Sequence, residues 1–278
     1  MEQFANLQES LSKAFPVAGS PLVHCITNEI TCETVANALL YVDAKPVMAD
    51  DPRAFPEFFQ QSDSLLLNLG HISPTREEAL LLGASMAEES RTPMVLDLVG
   101  VAETTLRYRL AWEITRYRPQ VIKGNLSEMR TFCGLPSSGR GVDGSKVDQT
   151  VAARQELAQE MKKVAVKEGI VLLATGPIDL VADDTGVLQL NNGVPQLERF
   201  TGSGDLLGAL IAALMGGGLA PLASVVAAVS YLNIAGERAQ ASRGLDVFRS
   251  EVLNQLSLLL AEDWWQAIRR VADDETTD

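Results

Sequence analysis

Histidine, cysteine and aromatic residues are scarce in this 278-residue chain, and each scarcity narrows its chemistry. Only His24 and His71 offer imidazole. The three cysteines, Cys25, Cys32 and Cys133, form no C-x-x-C pair, and their odd number gives no disulfide framework, which points to a reducing cytoplasm. So few soft ligands also argue against a dedicated zinc cage, leaving a hard cation held by carboxylates and substrate oxygens as the expected kind of metal. Basic residues are short as well. With 23 Lys and Arg against 36 Asp and Glu, the net charge of −13 repels nucleic acid and anionic lipid, so any phosphate site must be local. The opening MEQFANLQES lacks the basic and apolar regions of a secretory signal, so nothing there suggests export. Aromatics make up 5% of the chain but hydrophobic residues 46%, so the core is expected to be aliphatic. A single domain over 1–278 is expected, in which folding removes about 75% of the extended-chain surface from water.

No charged residue occurs between Leu206 and Gly236, a run long enough to span a bilayer. Gly216, Gly217, Gly218 and Pro221 cut it into two pieces rich in Ala, Gly and Ser, and two helices buried in a core are expected instead. Elsewhere short apolar runs alternate with helix-period segments, the pattern of βαβ units around a mostly parallel sheet. Strands are expected at 22–27, 64–69, 94–99, 120–123 and 170–175, nearly continuous in apolar residues as strands covered on both faces should be. Helices are expected at 31–42, 74–89, 104–117, 126–133 and 151–167. Two short strands, 179–183 and 187–190, follow as an antiparallel hairpin at one edge, and the chain then reads as helical to its end. The Gly/Ser-rich stretch 136–149 reads as a mobile loop or a lid, and the acidic residues 273–278 as a frayed tail.

The strongest chemical signal is Thr201-Gly202-Ser203-Gly204-Asp205, which opens directly into the apolar segment LLGALIAALMG. Glycines let the backbone approach a ligand, and the first N–H groups and the dipole of the helix favour an anion in front of them. Asp205 then stands where a carboxylate accepts the proton of an attacking hydroxyl, the general-base role in kinases acting on alcohols. It reads equally as a simple helix cap, with Gly202 and Gly204 only turning the chain.

The loop resembles the G-[ST]-G-D anion hole of ribokinase-like small-molecule kinases. Val23-His24-Cys25-Ile26-Thr27-Asn28, Val35-Ala36-Asn37-Ala38-Leu39-Leu40 and Lys45-Pro46-Val47-Met48-Ala49 resemble the N-terminal third of the hydroxyethylthiazole kinases of thiamine salvage. Leu67-Asn68-Leu69-Gly70, Leu96-Asp97-Leu98-Val99-Gly100, Ile122-Lys123-Gly124-Asn125-Leu126-Ser127-Glu128 and Ala174-Thr175-Gly176 follow in the family's order, so the resemblance covers roughly residues 20–240.

The resemblance implies an α/β fold, a ribokinase-like three-layer sandwich with a mostly parallel central sheet flanked by helices. It implies phosphorylation of the primary alcohol of 4-methyl-5-(2-hydroxyethyl)thiazole by ATP with Mg²⁺, in a cytoplasmic homotrimer with active sites between subunits. Asp205 takes the catalytic position, and Gly202, Ser203 and Gly204 the anion hole. Asn28, Met48 and Gly202 fall at substrate positions, Lys123 and Thr175 at ATP positions, and Asp97 and Glu128 at the metal site. Each also has a plain structural reading: core filler for Met48, turn former or cap for Asn28, solvated lysine for Lys123, capping pair for Asn125 and Glu128.

Three departures stand out. Many members of the family carry Cys where this chain has Asp205, and the family's D-P-V-G-x-G reads here as Asp97-Leu98-Val99-Gly100-Val101-Ala102. The stretch Arg243-Gly244-Leu245-Asp246-Val247-Phe248 also matches the family's last glycine-rich segment poorly. Two other readings keep the fold: a kinase for a pyrimidine, sugar or nucleoside, and a nucleotide-binding repair dehydratase or non-catalytic nucleotide-binding protein.

Overall fold

The computed structural model describes residues 2–137 and 150–271. Strand formation follows the apolar runs: β1 (Leu22–Ile26), β2 (Lys45–Val47), β3 (Ser64–Asn68), β4 (Met94–Asp97), β5 (Val121–Asn125), β6 (Val171–Thr175), β7 (Asp179–Ala182) and β8 (Val187–Leu190). They form one sheet in the order β2-β1-β3-β4-β5-β6-β7-β8. The pairs from β2 through β6 are parallel, and β7 and β8 are added antiparallel, as the hairpin pattern predicts. The Lys45–Val47 strand is not expected from its pattern, because three residues with a proline among them carry too little periodicity to read.

Helices cover both faces. One layer holds α1 (Glu2–Ser12), α2 (Cys32–Tyr41), α8 (Ser203–Gly216), α9 (Pro221–Ala239) and α10 (Leu245–Leu258). The other holds α3 (Phe55–Phe59), α4 (Pro74–Ser90), α5 (Thr105–Thr115), α6 (Leu126–Phe132) and α7 (Val151–Glu168). Side-chain alternation along the strands divides the core accordingly. Val23, Leu66, Val95 and Leu173 pack with the first layer, while Leu65, Leu67, Met94, Leu96 and Leu172 pack with the second. This is the expected three-layer architecture with a mostly parallel sheet. The short α1 and α3 are unforeseen.

Local chemistry sets the helix ends. Ser73 caps α4 ahead of Pro74, and Thr150 caps α7, which Gly169 closes at a φ of 69°. Asn125 and Glu128 form a reciprocal capping box at α6. The uncharged run becomes α8 and α9, separated by the Gly216–Gly218 turn, with Leu206 through Met215 all buried. Among the described residues, no helix is long and apolar enough to cross a membrane. Residues 138–149 of the expected loop and the whole 273–278 tail lie outside the described residues.

Candidate active site

Strands β1 and β3 to β6 all run the same way, so the residues at their carboxyl ends share one edge, where α/β sheets bind ligands. Asn28 follows β1, Asn68 ends β3, Asp97 ends β4, Lys123 lies in β5 and Thr175 ends β6. Helix α8 enters against this edge, and its first turn carries Asp205.

Asp205 is buried and accepts three side-chain hydrogen bonds from three parts of the chain. Asn28 Nδ2 and Thr31 Oγ1 reach its Oδ2 at 2.6 and 2.5 Å, and Asn68 Nδ2 reaches its Oδ1 at 2.9 Å. A residue acting only as a helix cap would bond its own first turn. Asp205 is instead the meeting point of β1, β3 and the N-terminus of α2. Gly202 precedes α8 at a φ of 91°, a conformation that glycine adopts without strain. Ser203 gives its N–H to Phe200 O at 3.1 Å and its hydroxyl to Leu197 O at 3.2 Å. The donors that this turn can direct at an anion are therefore the N–H groups of its neighbours.

Beside this carboxylate lies a buried ion pair. Lys123 Nζ sits 2.8 Å from Asp97 Oδ2, with the two side chains 3% and 1% exposed. The ammonium is 3.6 Å from where a Cβ on Gly204 would stand, so the cation lies against the first turn of α8. Burial pushes the Asp97 pKa up against the pull of Lys123, and the charge of Asp205 adds to the rise. Asp97 Oδ1 is buried with no hydrogen-bond partner among the described residues. An ionised oxygen without a partner is costly, and a hard cation or its water is the kind of group that would satisfy it.

Glu128 stands on the other side of Asp97. Its Oε1 accepts from Gly100 N–H and its Oε2 from Asn125 N–H, both at 2.8 Å. Burial raises its pKa to about 7, with the Asp97 charge adding and the two N–H groups opposing. Glu128 thus caps α6 and also ties down the loop after β4. That loop keeps its turn despite its departure from the family pattern: Leu98 and Val101 are buried, Gly100 has a φ of 70°, and Val101 N–H bonds Leu98 O at 2.9 Å. Among the described residues, no group of three or more His, Cys, Asp or Glu forms a metal cluster, so protein ligands here supply at most part of a coordination shell.

Met48 lies just beyond β2, partly buried against the core. Its segment is fixed by His24, whose Nε2 meets Ala49 O at 2.8 Å while the ring packs among Phe55, Phe58 and Phe59. Burial holds the His24 pKa below its ordinary value. Thr175 is half-buried, with its hydroxyl 3.4 Å from Gly124 O. Sequence reasoning missed Thr31, which stands at the N-cap position of α2 but makes no side-chain cap bond and turns to Asp205 instead. It also gave Asn68 no role, since a polar residue closing an apolar strand carries no signal of what it faces.

The edge therefore combines an anion-favouring helix start, a buried cation and a carboxylate held apart from its own helix, the parts that phosphoryl transfer to an alcohol requires. A sequence model described as the hydroxyethylthiazole kinase family matches residues 17–262. A hydroxyethylthiazole kinase of Lacticaseibacillus paracasei is 57% identical over 92% of this chain and 93% of its own. The structure of a hydroxyethylthiazole kinase from Pyrococcus horikoshii superposes with a TM-score of 0.81 at 25% identity, covering 98% of this chain and all of that one. A Staphylococcus aureus pyridoxal kinase, at 16% identity and a TM-score of 0.57 over 80% of this chain and 89% of its own, shares the fold. Sequence blocks, sheet order and overall relatives converge, and the chain belongs to the hydroxyethylthiazole kinase family.

Proposed function

We propose that this protein transfers the γ-phosphoryl group of ATP to the primary alcohol of 4-methyl-5-(2-hydroxyethyl)thiazole, as the salvage step that feeds thiamine synthesis. The observation that carries the mechanism is the Asp205 carboxylate, held by Asn28, Thr31 and Asn68 at the start of α8. The alcohol O–H bond breaks as Asp205 takes the proton, the freed oxygen forms a bond to Pγ, and the bond from Pγ to the β-phosphate oxygen breaks to release ADP. Gly202 and Gly204 let the backbone approach the transferring group, and the α8 N-terminus stabilises its charge. Ser203 shapes the same turn through its bonds to Phe200 and Leu197. Lys123 supplies positive charge beneath the turn, and Thr175 and Gly176 border the nucleotide. Asn28 and Met48 line the alcohol side.

Mg²⁺, when bound with ATP, would neutralise charge on the phosphate oxygens. The unpartnered Asp97 Oδ1 fits that ion, whereas Glu128, with both oxygens on backbone N–H groups, serves it by holding Gly100 and Asn125 in place. A homotrimer suits the exposed Ile30, just before α2, and the exposed Leu40 and Tyr41 in its last turn. Light scattering reads that state directly, and a monomer would contradict it. A cytoplasmic location accords with three free cysteines.

The test is ADP release from Mg-ATP with hydroxyethylthiazole and a panel of pyrimidine, sugar and nucleoside alcohols, with Asp205→Asn run beside the wild type. Loss of a general base is expected to lower thiazole-dependent turnover by about 10²-fold or more. Wild-type turnover in the variant would remove Asp205 from the mechanism, and turnover with another alcohol alone would replace the substrate.

A further inference from the structure

Asn68 is fully buried at the end of β3, between the two carboxylates of the site. Its carboxamide oxygen accepts the Gly70 N–H at 2.8 Å, which fixes the amide's orientation and leaves both Nδ2 hydrogens facing carboxylates. One meets Asp205 Oδ1 at 2.9 Å and the other Asp97 Oδ2 at 3.1 Å. Asp97 Oδ2 is also the oxygen bound by Lys123. A single amide thus joins the carboxylate assigned to the alcohol with the ion pair assigned to the phosphates.

The distribution of donors on Asp205 matters as much. An ionised carboxylate has about four acceptor positions, two on each oxygen. Asn28 and Thr31 occupy Oδ2, whereas among the described residues Oδ1 receives only the Asn68 N–H. The acceptor position left open is on Oδ1. We infer that Asn68 is a positioning residue for phosphoryl transfer: it sets the rotation of the Asp205 carboxylate so that Oδ1 receives the alcohol proton, and it fixes that oxygen relative to the Asp97–Lys123 pair. The inference rests on Asp205 being the base. It also accounts for the residue type. A hydroxyl has one hydrogen and satisfies one carboxylate, an aspartate would add a third negative charge, and an apolar residue would leave Asp97 and Asp205 facing each other with neither bond.

The experiment is a double-mutant cycle on the full-length protein: wild type, Asn68→Ala, Asp205→Asn and the double variant, each with kcat and KM for ATP and for hydroxyethylthiazole. Asn68→Ala is expected to lower kcat by about 10- to 100-fold, the scale of a misplaced catalytic group, with both KM values within about threefold of wild type. In the Asp205→Asn background the same change is expected to cost less than about threefold, because the group that it orients is already lost. Equal losses in both backgrounds, or a change confined to KM, would overturn the inference. Asp205→Asn at full turnover would instead remove the base assignment itself, and that single variant reports it separately. Thermal melts identify any variant that is not folded. If Asn68→Ala is one, Asn68→Ser takes its place and the same comparison decides.

Discussion

Gly202 and Thr31 are in direct steric register: a Cβ added to Gly202 would overlap Thr31 Cγ2, the methyl group on the side chain whose hydroxyl binds Asp205. The tight approach links the glycine loop to the Asp205 carboxylate through one threonine. Gly202→Ala therefore has two costs. Its φ of 91° strains any L side chain, by about 1–2 kcal/mol, and the new methyl displaces Thr31. Turnover is expected to fall by about 10-fold or more, alongside a lower melting temperature. Adding Thr31→Ser removes the obstructing methyl and keeps the hydroxyl, so the pair is expected to recover part of the turnover but not the stability lost to strain. A double variant no more active than Gly202→Ala would separate the loop from Thr31.

The buried Lys123–Asp97 pair predicts a different dissociation of stability from activity. Lys123→Met leaves the Asp97 carboxylate buried beside Asn68 alone, and breaking such a pair costs about 3–5 kcal/mol. Lys123→Met with Asp97→Leu removes both charges, and stability should return toward wild type because the desolvation cost disappears with the pair. Turnover should stay low in both variants, since each lacks the cation beneath the α8 turn. Denaturant midpoints and ADP release measure the two properties independently. Recovery of turnover in the double variant would show that the pair serves packing alone.

The fold was legible because its strands are buried on both faces and read as uninterrupted apolar runs, as in SLLLN at Ser64–Asn68. β2 escaped because Lys45, Pro46 and Val47 form a short edge strand whose existence depends on pairing with β1. At the site, the Gly202–Asp205 sequence was visible since glycine spacing and a following apolar helix are local features. The partners of Asp205 were not. Asn28 lies 177 residues away, Thr31 174 and Asn68 137, and only the parallel crossovers bring them to one edge. Glu128 shows the converse. Its capping role was readable from the Asn-x-x-Glu spacing, but its second bond, to Gly100 across the sheet, was not.

Asp179 provides a pH test outside the Asp97–Asp205 cluster. It begins β7, accepts Gly176 N–H at 2.9 Å and Asn233 Nδ2 at 2.8 Å, and so joins the turn after Thr175 to α9. Burial raises its pKa from 3.8 to about 7, with those two donors opposing. Between these values the folded chain keeps a proton that the unfolded chain has released, so this group's contribution to stability falls as pH rises toward 7 and is flat beyond it. The slope is at most about 1.4 kcal/mol per pH unit. Asp179→Asn cannot titrate, so its stability relative to wild type should improve steadily from pH 5 to pH 7 and then level off. His24 acts in the opposite sense, because its lowered pKa weakens the fold as pH falls below 6.5, but it is common to both proteins and cancels in the difference. Urea midpoints at half-unit intervals give that difference directly. A difference that does not change with pH would mean that Asp179 is ionised in the fold throughout, with Gly176 and Asn233 outweighing its burial.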